Sequence, residues 1–345
     1  MRRDTGQNSL RHYNAVRGQN IQTANDPHTP AGREIVKAKP IFIVGLKVLI
    51  LTLVLVICFI VASVVSGIAT TQPSGLPTSP GVTESQQSEG MDALVFTSFL
   101  ITVVFTYLIL RSRWSGRKLV GALVVAFYGL MTVISQIESV VYLQHRLPAE
   151  MIPKLFIMGA VVAVLFCPLA VLILGKRKEE MTASLANVRL VMPPGEWVWK
   201  LAMIAVAYLI LYFTFGYYVA WKSPEVQAYY GGTDPGTFFA QIGYIWHTTP
   251  WMFPFQAFRG ILWLVFVLPV VRMLKGRSWE TALAIAILFS VWSAQLILPN
   301  PFMPRGVAMA HLLETVSSNL IFGWIVGWLF SRHHPSVSDV FQRSK

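Results

Sequence analysis

Apolar residues occur in eight long blocks that are separated by short polar connectors. The blocks cover Val48–Ala69, Ala93–Leu110, Leu119–Leu143, Leu155–Leu174, Trp197–Trp221, Pro254–Val271, Thr281–Leu298 and Val307–Phe330. A helix rises about 1.5 Å per residue, so each block is long enough to cross about 30 Å of hydrocarbon. The pattern predicts an all-α integral membrane protein, a bundle of about eight transmembrane helices, with residues 41–331 as the transmembrane domain.

The sixth block is the weakest of the eight, because Gln256 and Arg259 interrupt its apolar run. A re-entrant segment is the alternative at this position. It would reverse the direction of the seventh and eighth spans and place the C-terminal tail on the opposite side of the membrane.

The two ends of the chain are polar. Residues 1–40 contain Pro27, Pro30 and Pro40, carry seven Lys and Arg residues and show no apolar periodicity. This composition is typical of a disordered tail. Residues 332–345 form a second, shorter tail.

The composition makes lipid the solvent for most of the chain. Hydrophobic residues make up 54% of the sequence and charged residues 13%, whereas about a quarter of the residues in a soluble domain are charged. The net charge of +12 would suggest nucleic-acid binding in a soluble protein, but here the basic residues flank the apolar blocks, where orientation signals lie. We therefore expect membrane lipids, and no nucleic acid, among the partners.

The basic residues are segregated to one face of the predicted bundle. That face carries 21 Lys and Arg residues, and the opposite face carries four, which are Arg146, Lys154, Lys222 and Arg305. The positive-inside rule makes the basic face cytoplasmic, so we expect both termini in the cytoplasm of a multi-pass cell-membrane protein. Lys47 and Lys200 lie near cytoplasmic span ends and are expected to snorkel to the surface.

Two predicted external loops differ in character. Residues 70–92 are rich in Ser, Thr, Gln, Gly and Pro, which is typical of a flexible connector. Residues 222–253 are rich in Tyr, Trp and Phe, which indicates a segment at the membrane interface. Within it, Ser223-Pro224-Glu225 predicts the start of a short helix, and a second helix is expected to follow Asp234-Pro235.

Four ionisable side chains stand out inside the predicted spans: Glu138, Arg259, His311 and Glu314. Such residues are costly in hydrocarbon and mark functional sites by default. Counted from the span ends, all four lie roughly 6–10 Å below the external surface of the hydrocarbon. Because they come from three separate spans, the shared depth predicts one site.

Further polar residues lie on the same helix faces. Ser318 is one turn below Glu314, Ser135 and Tyr142 flank Glu138, and Gln256 is one turn from Arg259. Ser293 and Gln295 in the seventh block lie at a similar depth. We expect Arg259, Gln256, Ser135, Tyr142 and Ser318 to bind a substrate at this site.

Three roles fit the acidic and histidine residues. His311, Glu314 and Glu138 have the residue types and helical spacing to hold a divalent metal. The same residues could perform acid–base catalysis, with His311 as a proton shuttle. They could also form a purely architectural network, in which a buried Glu–Arg pair accompanies a hydrogen-bonded histidine.

The shallow depth favours a membrane-embedded enzyme or binder that acts on a lipid-linked or amphipathic substrate, because transport sites lie nearer the midplane. A proton- or ion-coupled transporter is the second hypothesis, and a non-catalytic assembly or signalling protein is the third. The Walker, Gly-x-Ser-x-Gly, His-Glu-x-x-His and Cys-x-x-Cys motifs do not occur, which disfavours an ATP-driven pump. Gly323 and Gly327 form a Gly-x-x-x-Gly pair, which predicts close helix packing within the bundle.

Overall fold

The computed structural model describes residues 41–69, 84–142, 147–177, 189–232 and 236–341. The expectations for the tail 1–40, for residues 70–83 of the first external loop and for Asp234-Pro235 lie outside these ranges, as do the last four residues. The chain divides into two units, 1–44 and 45–345. Of the first unit the structure describes only the residues that begin the first helix.

Eight helices are long and apolar enough to cross a membrane, and they confirm all eight predicted spans. The helices are α1 (Ile41–Val65), α2 (Glu84–Leu110), α3 (Gly116–Tyr142), α4 (Met151–Ile173), α5 (Pro194–Ala220), α8 (Met252–Met273), α9 (Ser278–Ile297) and α10 (Arg305–Phe330). Three short helices, α6 (Pro224–Tyr230), α7 (Phe238–Thr248) and α11 (Ser338–Phe341), complete the described part of the chain. The protein is an all-α, multi-pass membrane protein.

The sixth span is a continuous helix of 22 residues. Gln256 and Arg259, which weaken its apolar run, are buried inside the bundle. Polar side chains are tolerated in a span when they face protein instead of lipid. The span therefore needs no re-entrant turn.

Three spans depart from regular α-helix, each in the half nearer the end of the bundle that carries α6 and α7. A π-helical turn occupies Gly129–Val133 in α3 and another occupies Gly216–Ala220 in α5. The last turn of α9, Trp292–Ile297, is a 3₁₀-helix. Such irregular turns often occur at functional sites, because they re-aim the side chains that follow them.

An aromatic cluster joins four of the spans in the core. Phe127 of α3 contacts Phe105 of α2, Phe166 of α4 and Trp292 of α9, with ring centroids 5.3, 5.7 and 5.0 Å apart. Large aromatic side chains supply much of the packing in such a core. Both cysteines, Cys58 and Cys167, are buried and free.

The tightest helix pair is α9 against α10, and it depends on two glycines. A Cβ atom at Gly323 would lie 2.7 Å from the Cα atom of Ala286, and one at Gly327 would lie 2.6 Å from the Cα atom of Ala282. The absence of a side chain thus lets the two backbones approach closely. The Gly-x-x-x-Gly pair packs within the bundle, as predicted.

Loops at one end of the bundle, which we call the basic face, hydrogen-bond to one another. Lys275 donates its backbone N–H to the Arg111 carbonyl at 2.8 Å. Arg189 donates to the carbonyls of Leu274 at 2.5 Å and Gly276 at 2.7 Å, just beyond the end of α8. Unpaired carbonyls at a helix C-terminus favour such a cation. We call the opposite end, which carries α6 and α7, the aromatic face.

Lys200 corrects one expectation, because it does not snorkel. Its side chain is 0% exposed, and its Nζ lies 2.6 Å from Glu196 Oε1 and donates to the Arg332 carbonyl at 2.8 Å. Glu196 also accepts the backbone N–H of His334 at 2.8 Å and lies 2.5 Å from His333 Nδ1. This Lys200 cluster connects the end of α10 to the start of α5 and buries His334, a residue that the sequence places in a solvated tail.

The short helices of the aromatic face begin near the predicted positions. Ser223 stands at the N-cap of α6 without a side-chain capping bond, whereas Thr237 caps α7 by accepting the N–H of Ala240 at 3.2 Å. No residue of α7 is buried, and Phe239 is 82% exposed. An aromatic helix with this exposure between two spans is typical of a segment at the membrane surface.

Candidate functional site

Glu138, Arg259, His311 and Glu314 lie in the parts of their spans that are nearer the aromatic face. Counted from span ends at Tyr142, Met252 and Arg305, Glu138 lies about 6 Å, Arg259 about 10 Å and His311 about 9 Å along the helix axis. Glu314 is one turn deeper. The structure brings these residues together as two adjoining pairs.

The first pair is a bidentate ion pair between α3 and α8. Arg259 donates from Nη2 to Glu138 Oε2 at 2.7 Å and from Nη1 to Glu138 Oε1 at 3.3 Å. The Arg259 side chain is 4% exposed and that of Glu138 is 42% exposed. The cation is therefore fixed inside the bundle, and the carboxylate is its outer partner.

A string of polar groups supports the guanidinium. Gln256 Oε1 accepts from Arg259 Nη1 at 2.8 Å, and Gln256 Nε2 donates to the Tyr142 hydroxyl at 2.8 Å. The Tyr212 hydroxyl, at 3.4 Å, also donates to Tyr142. Because the amide of Gln256 uses both its oxygen and its nitrogen, its orientation is determined by the network.

Aromatic rings flank Arg259. The rings of Tyr208 and Phe255 each have their centroid 5.9 Å from its guanidinium carbon. Ring faces attract a cation without competing for its N–H donors. These rings hold the charge in place and leave its donors to oxygen atoms.

The second pair lies within α10. His311 Nδ1 is 2.8 Å from Glu314 Oε2, and His311 Nε2 is 3.2 Å from the hydroxyl of Tyr230 in α6. Glu314 is buried beside Gly216 of α5, where a Cβ atom would lie 3.6 Å from Glu314 Oε1. A carboxylate, an imidazole and a hydroxyl thus form one hydrogen-bonded chain.

Helix α6 holds Tyr230 over His311 by contacts with the start of α10. Tyr229 donates its hydroxyl to the Phe302 carbonyl at 2.6 Å, and Val226 and Val307 share a small buried apolar cluster. The Glu225 carboxylate packs directly against Gly306 in the first turn of α10. A negative charge at this position interacts favourably with the helix N-terminus.

The two pairs adjoin without sharing a hydrogen bond among the described residues. Helix α5 packs against both α8 and α10 and supplies Tyr208 and Tyr212 to the first pair and Gly216 to the second. The site therefore has a fixed cation on one side and an imidazole on the other.

The metal hypothesis for His311, Glu314 and Glu138 stays a prediction that this geometry does not favour. Across the described ranges, no group of three His, Cys, Asp or Glu side chains is placed to hold a metal ion. Glu138 bonds Arg259, and His311 bonds Glu314. Mass spectrometry of the purified protein tests the hypothesis: near-stoichiometric transition metal that Glu314→Ala abolishes would support it, and a metal-free wild type would contradict it.

Some predicted substrate-binding residues are not in this network. Ser318 donates to the Thr315 carbonyl at 3.5 Å within its own helix. Ser135 accepts the Ser139 hydroxyl through its backbone carbonyl at 3.1 Å. Their roles in binding remain predictions.

Tyr208, Tyr212 and Tyr230 are site residues that the sequence analysis did not single out. Tyr208 and Tyr212 are one turn apart in the apolar middle of α5, and Tyr212 lies about 12 Å from the span end at Ala220. That depth is close to the depth of Arg259, so the sequence could have indicated that Tyr212 lies near the site. Tyr230 lies in a loop, so its proximity to His311 depends on how α6 folds back.

Comparisons with known proteins identify no relative of this chain: no family model, no curated protein and no solved structure matches it.

Proposed function

We propose that the protein is a membrane-embedded enzyme that acts on a lipid-linked or amphipathic substrate, with His311 as its general base and proton shuttle. The observation that carries the proposal is the chain Glu314–His311–Tyr230. A protein that only binds the same class of substrate, without a reaction, would use the same entry route and would also hold the head group at Arg259.

The hydrogen bonds of His311 support a role for each of its ring nitrogens. The Glu314 carboxylate accepts at 2.8 Å from Nδ1, so Nδ1 carries the proton of the neutral imidazole and Nε2 is the acceptor. Nε2 faces a hydroxyl at 3.2 Å, which is within reach for proton transfer. In this role a substrate hydroxyl or a water molecule takes the place of the Tyr230 hydroxyl, and Glu314 positions the imidazole.

The exposure of Glu138 supports entry of a polar head group from the side. A charged carboxylate that faces hydrocarbon is costly, and the Glu138 side chain is 42% exposed about 6 Å inside the span. Its exposed side is thus better suited to water or a polar head group than to lipid tails. An amphipathic substrate would place its head there and keep its tail in the bilayer.

The test uses the full-length protein in proteoliposomes that contain phosphatidylglycerol, phosphatidylethanolamine, long-chain acyl esters and a polyprenyl diphosphate, with mass spectrometry of the lipids over time. We expect conversion by the wild type and a loss of about 10²–10⁴-fold in His311→Gln, the range for a general base. His247, an exposed histidine on the same face, provides the matched control, because His247→Gln should convert at the wild-type rate.

A second measurement does not depend on the substrate chosen. Nitrogen NMR of histidine-labelled protein, with the His311 signal assigned by its loss in His311→Gln, should show the tautomer protonated at Nδ1. The opposite tautomer would contradict the proposal. Transport across the bilayer is the alternative outcome. If a pH gradient drives lipid across the bilayer without chemical change, and Glu138→Gln stops this movement, the protein is a transporter and not an enzyme.

A further inference from the structure

We infer that the Arg259 guanidinium is an oxyanion site for the head group of an amphiphile, and that Glu138 is an internal competitor which the head group displaces. The inference rests on the proposed function, because it names the chemical class of substrate at the same site. The recognised chemistry is a carboxylate or phosphate group attached to a long apolar chain.

Arg259 and its neighbours offer more hydrogen-bond donors than the Glu138 carboxylate uses. Glu138 takes one hydrogen bond from each terminal nitrogen, and the buried Nε–H of Arg259 has no hydrogen-bond partner within the described part of the chain. Tyr142 accepts from both Gln256 and Tyr212, so its own proton remains available to a further acceptor. An arginine fork with extra donors nearby suits a carboxylate or a phosphate.

The two partners of the ion pair differ in their freedom to move. Arg259 is held by Gln256 and has two aromatic rings beside it, whereas the Glu138 carboxylate is the exposed member. An anion that arrives from outside the bundle therefore meets Glu138 first and can replace it on a stationary cation. The released carboxylate turns to the exposed side, where it keeps its hydration.

Apolar surroundings select an amphiphile over a small soluble anion. Trp251 and Phe255 lie beside Tyr142, with ring centroids 6.4 and 6.2 Å from it, on the way from the aromatic face to Arg259. At a depth of about 10 Å a bound head group leaves its chain in the hydrocarbon layer. A free anion gains nothing from these contacts and still loses its hydration.

The test measures binding by isothermal titration calorimetry to the full-length protein in a neutral maltoside detergent. The probes are dodecyl phosphate, dodecanoate, dodecanol and inorganic phosphate. We expect both charged amphiphiles to bind, and dodecanol and inorganic phosphate to bind at least about tenfold more weakly, a ratio that corresponds to about 1.4 kcal/mol.

The variants separate competition from structure. Glu138→Gln removes the competing charge and should tighten dodecyl phosphate binding by about tenfold, whereas Arg259→Gln should weaken it by about tenfold or more. Glu280→Gln is the matched control, because Glu280 pairs with Arg111 at 2.6 Å on the basic face and its loss should leave the affinity unchanged. If Glu138→Gln does not fold, Glu138→Asp, which cannot reach both nitrogens, should tighten binding by an intermediate factor.

Several outcomes would overturn the inference. Equal affinity in the wild type and in whichever Glu138 variant folds would show that Glu138 does not compete. Inorganic phosphate that binds as tightly as dodecyl phosphate would show that the ligand is a soluble anion. If the probes bind in the expected order but no lipid is converted, the enzyme proposal is refuted and the oxyanion site is retained. If lipid conversion depends on His311 and is unchanged in Arg259→Gln, the oxyanion site is refuted and the enzyme proposal is retained.

Discussion

Lys200→Met should lower the free energy of unfolding by about 3–5 kcal/mol, the usual cost of removing one partner from a buried ion pair. The substitution leaves the fully buried Glu196 carboxylate without its 2.6 Å partner. It also frees the Arg332 carbonyl, which Lys200 contacts at 2.8 Å. The measurement is reversible unfolding by sodium dodecyl sulphate in mixed micelles.

Lys47→Met is the matched control for this substitution, because Lys47 is only half-buried, near the start of α1. We expect it to change the free energy of unfolding by less than about 1 kcal/mol. The double variant Glu196→Gln/Lys200→Met removes both charges and should recover much of the lost stability. If Lys200→Met costs no more than Lys47→Met, Lys200 is not buried with Glu196 in the membrane.

Gly323→Ala and Gly327→Ala should each destabilise the protein by about 1–3 kcal/mol, the usual cost of overpacking a close contact. The new Cβ at position 323 would meet the Ala286 Cα atom and the Ile285 carbonyl oxygen at 2.7 Å. Both obstacles are backbone atoms, so no side-chain rotation can relieve the contact and α9 must move away from α10. Thermal unfolding in nanodiscs, followed by tryptophan fluorescence, measures the effect.

Gly121→Ala is the control for this pair, because nothing lies within 4 Å of a Cβ atom at position 121. Alanine is the better helix former by about 0.5–1 kcal/mol, so this variant should be as stable as the wild type or slightly more stable. Gly323→Ala with the stability of Gly121→Ala would show that α9 and α10 are not in backbone contact. The effects at Gly323 and Gly327 should not add fully, because both substitutions separate the same helices.

The sequence predicted the depth of the candidate site residues better than the contacts between them. The depth of Glu138, Arg259, His311 and Glu314 follows from counting residues along a helix, and that counting is local. The predicted neighbours Gln256 and Tyr142 are in the network because each lies one turn from a charged residue on the same face. Tyr230 could not be found in this way, since it reaches His311 only through the folding of α6 onto α10.

Lys200 shows why the environment of a cation cannot be predicted from its position in the sequence alone. A lysine near a span end can either extend to the surface or turn inward to an acid on its own helix face, and both choices satisfy the hydropathy pattern. Glu196 is four residues before Lys200, the spacing at which side chains on a helix meet. Lys200 turns inward because the segment after α10 covers the pair and donates the His334 N–H to Glu196.

The sequence by itself determined the membrane class, the eight spans and the identity of the ionisable residues inside them, because the cost of polar groups in hydrocarbon acts residue by residue. It also predicts, through the distribution of Lys and Arg, which face is cytoplasmic. Only the tertiary structure decided that Glu138 pairs with Arg259 and that His311 pairs with Glu314 and Tyr230. Those partnerships depend on which helices are neighbours and on how each is rotated about its axis, and the pattern along a single chain does not contain that information.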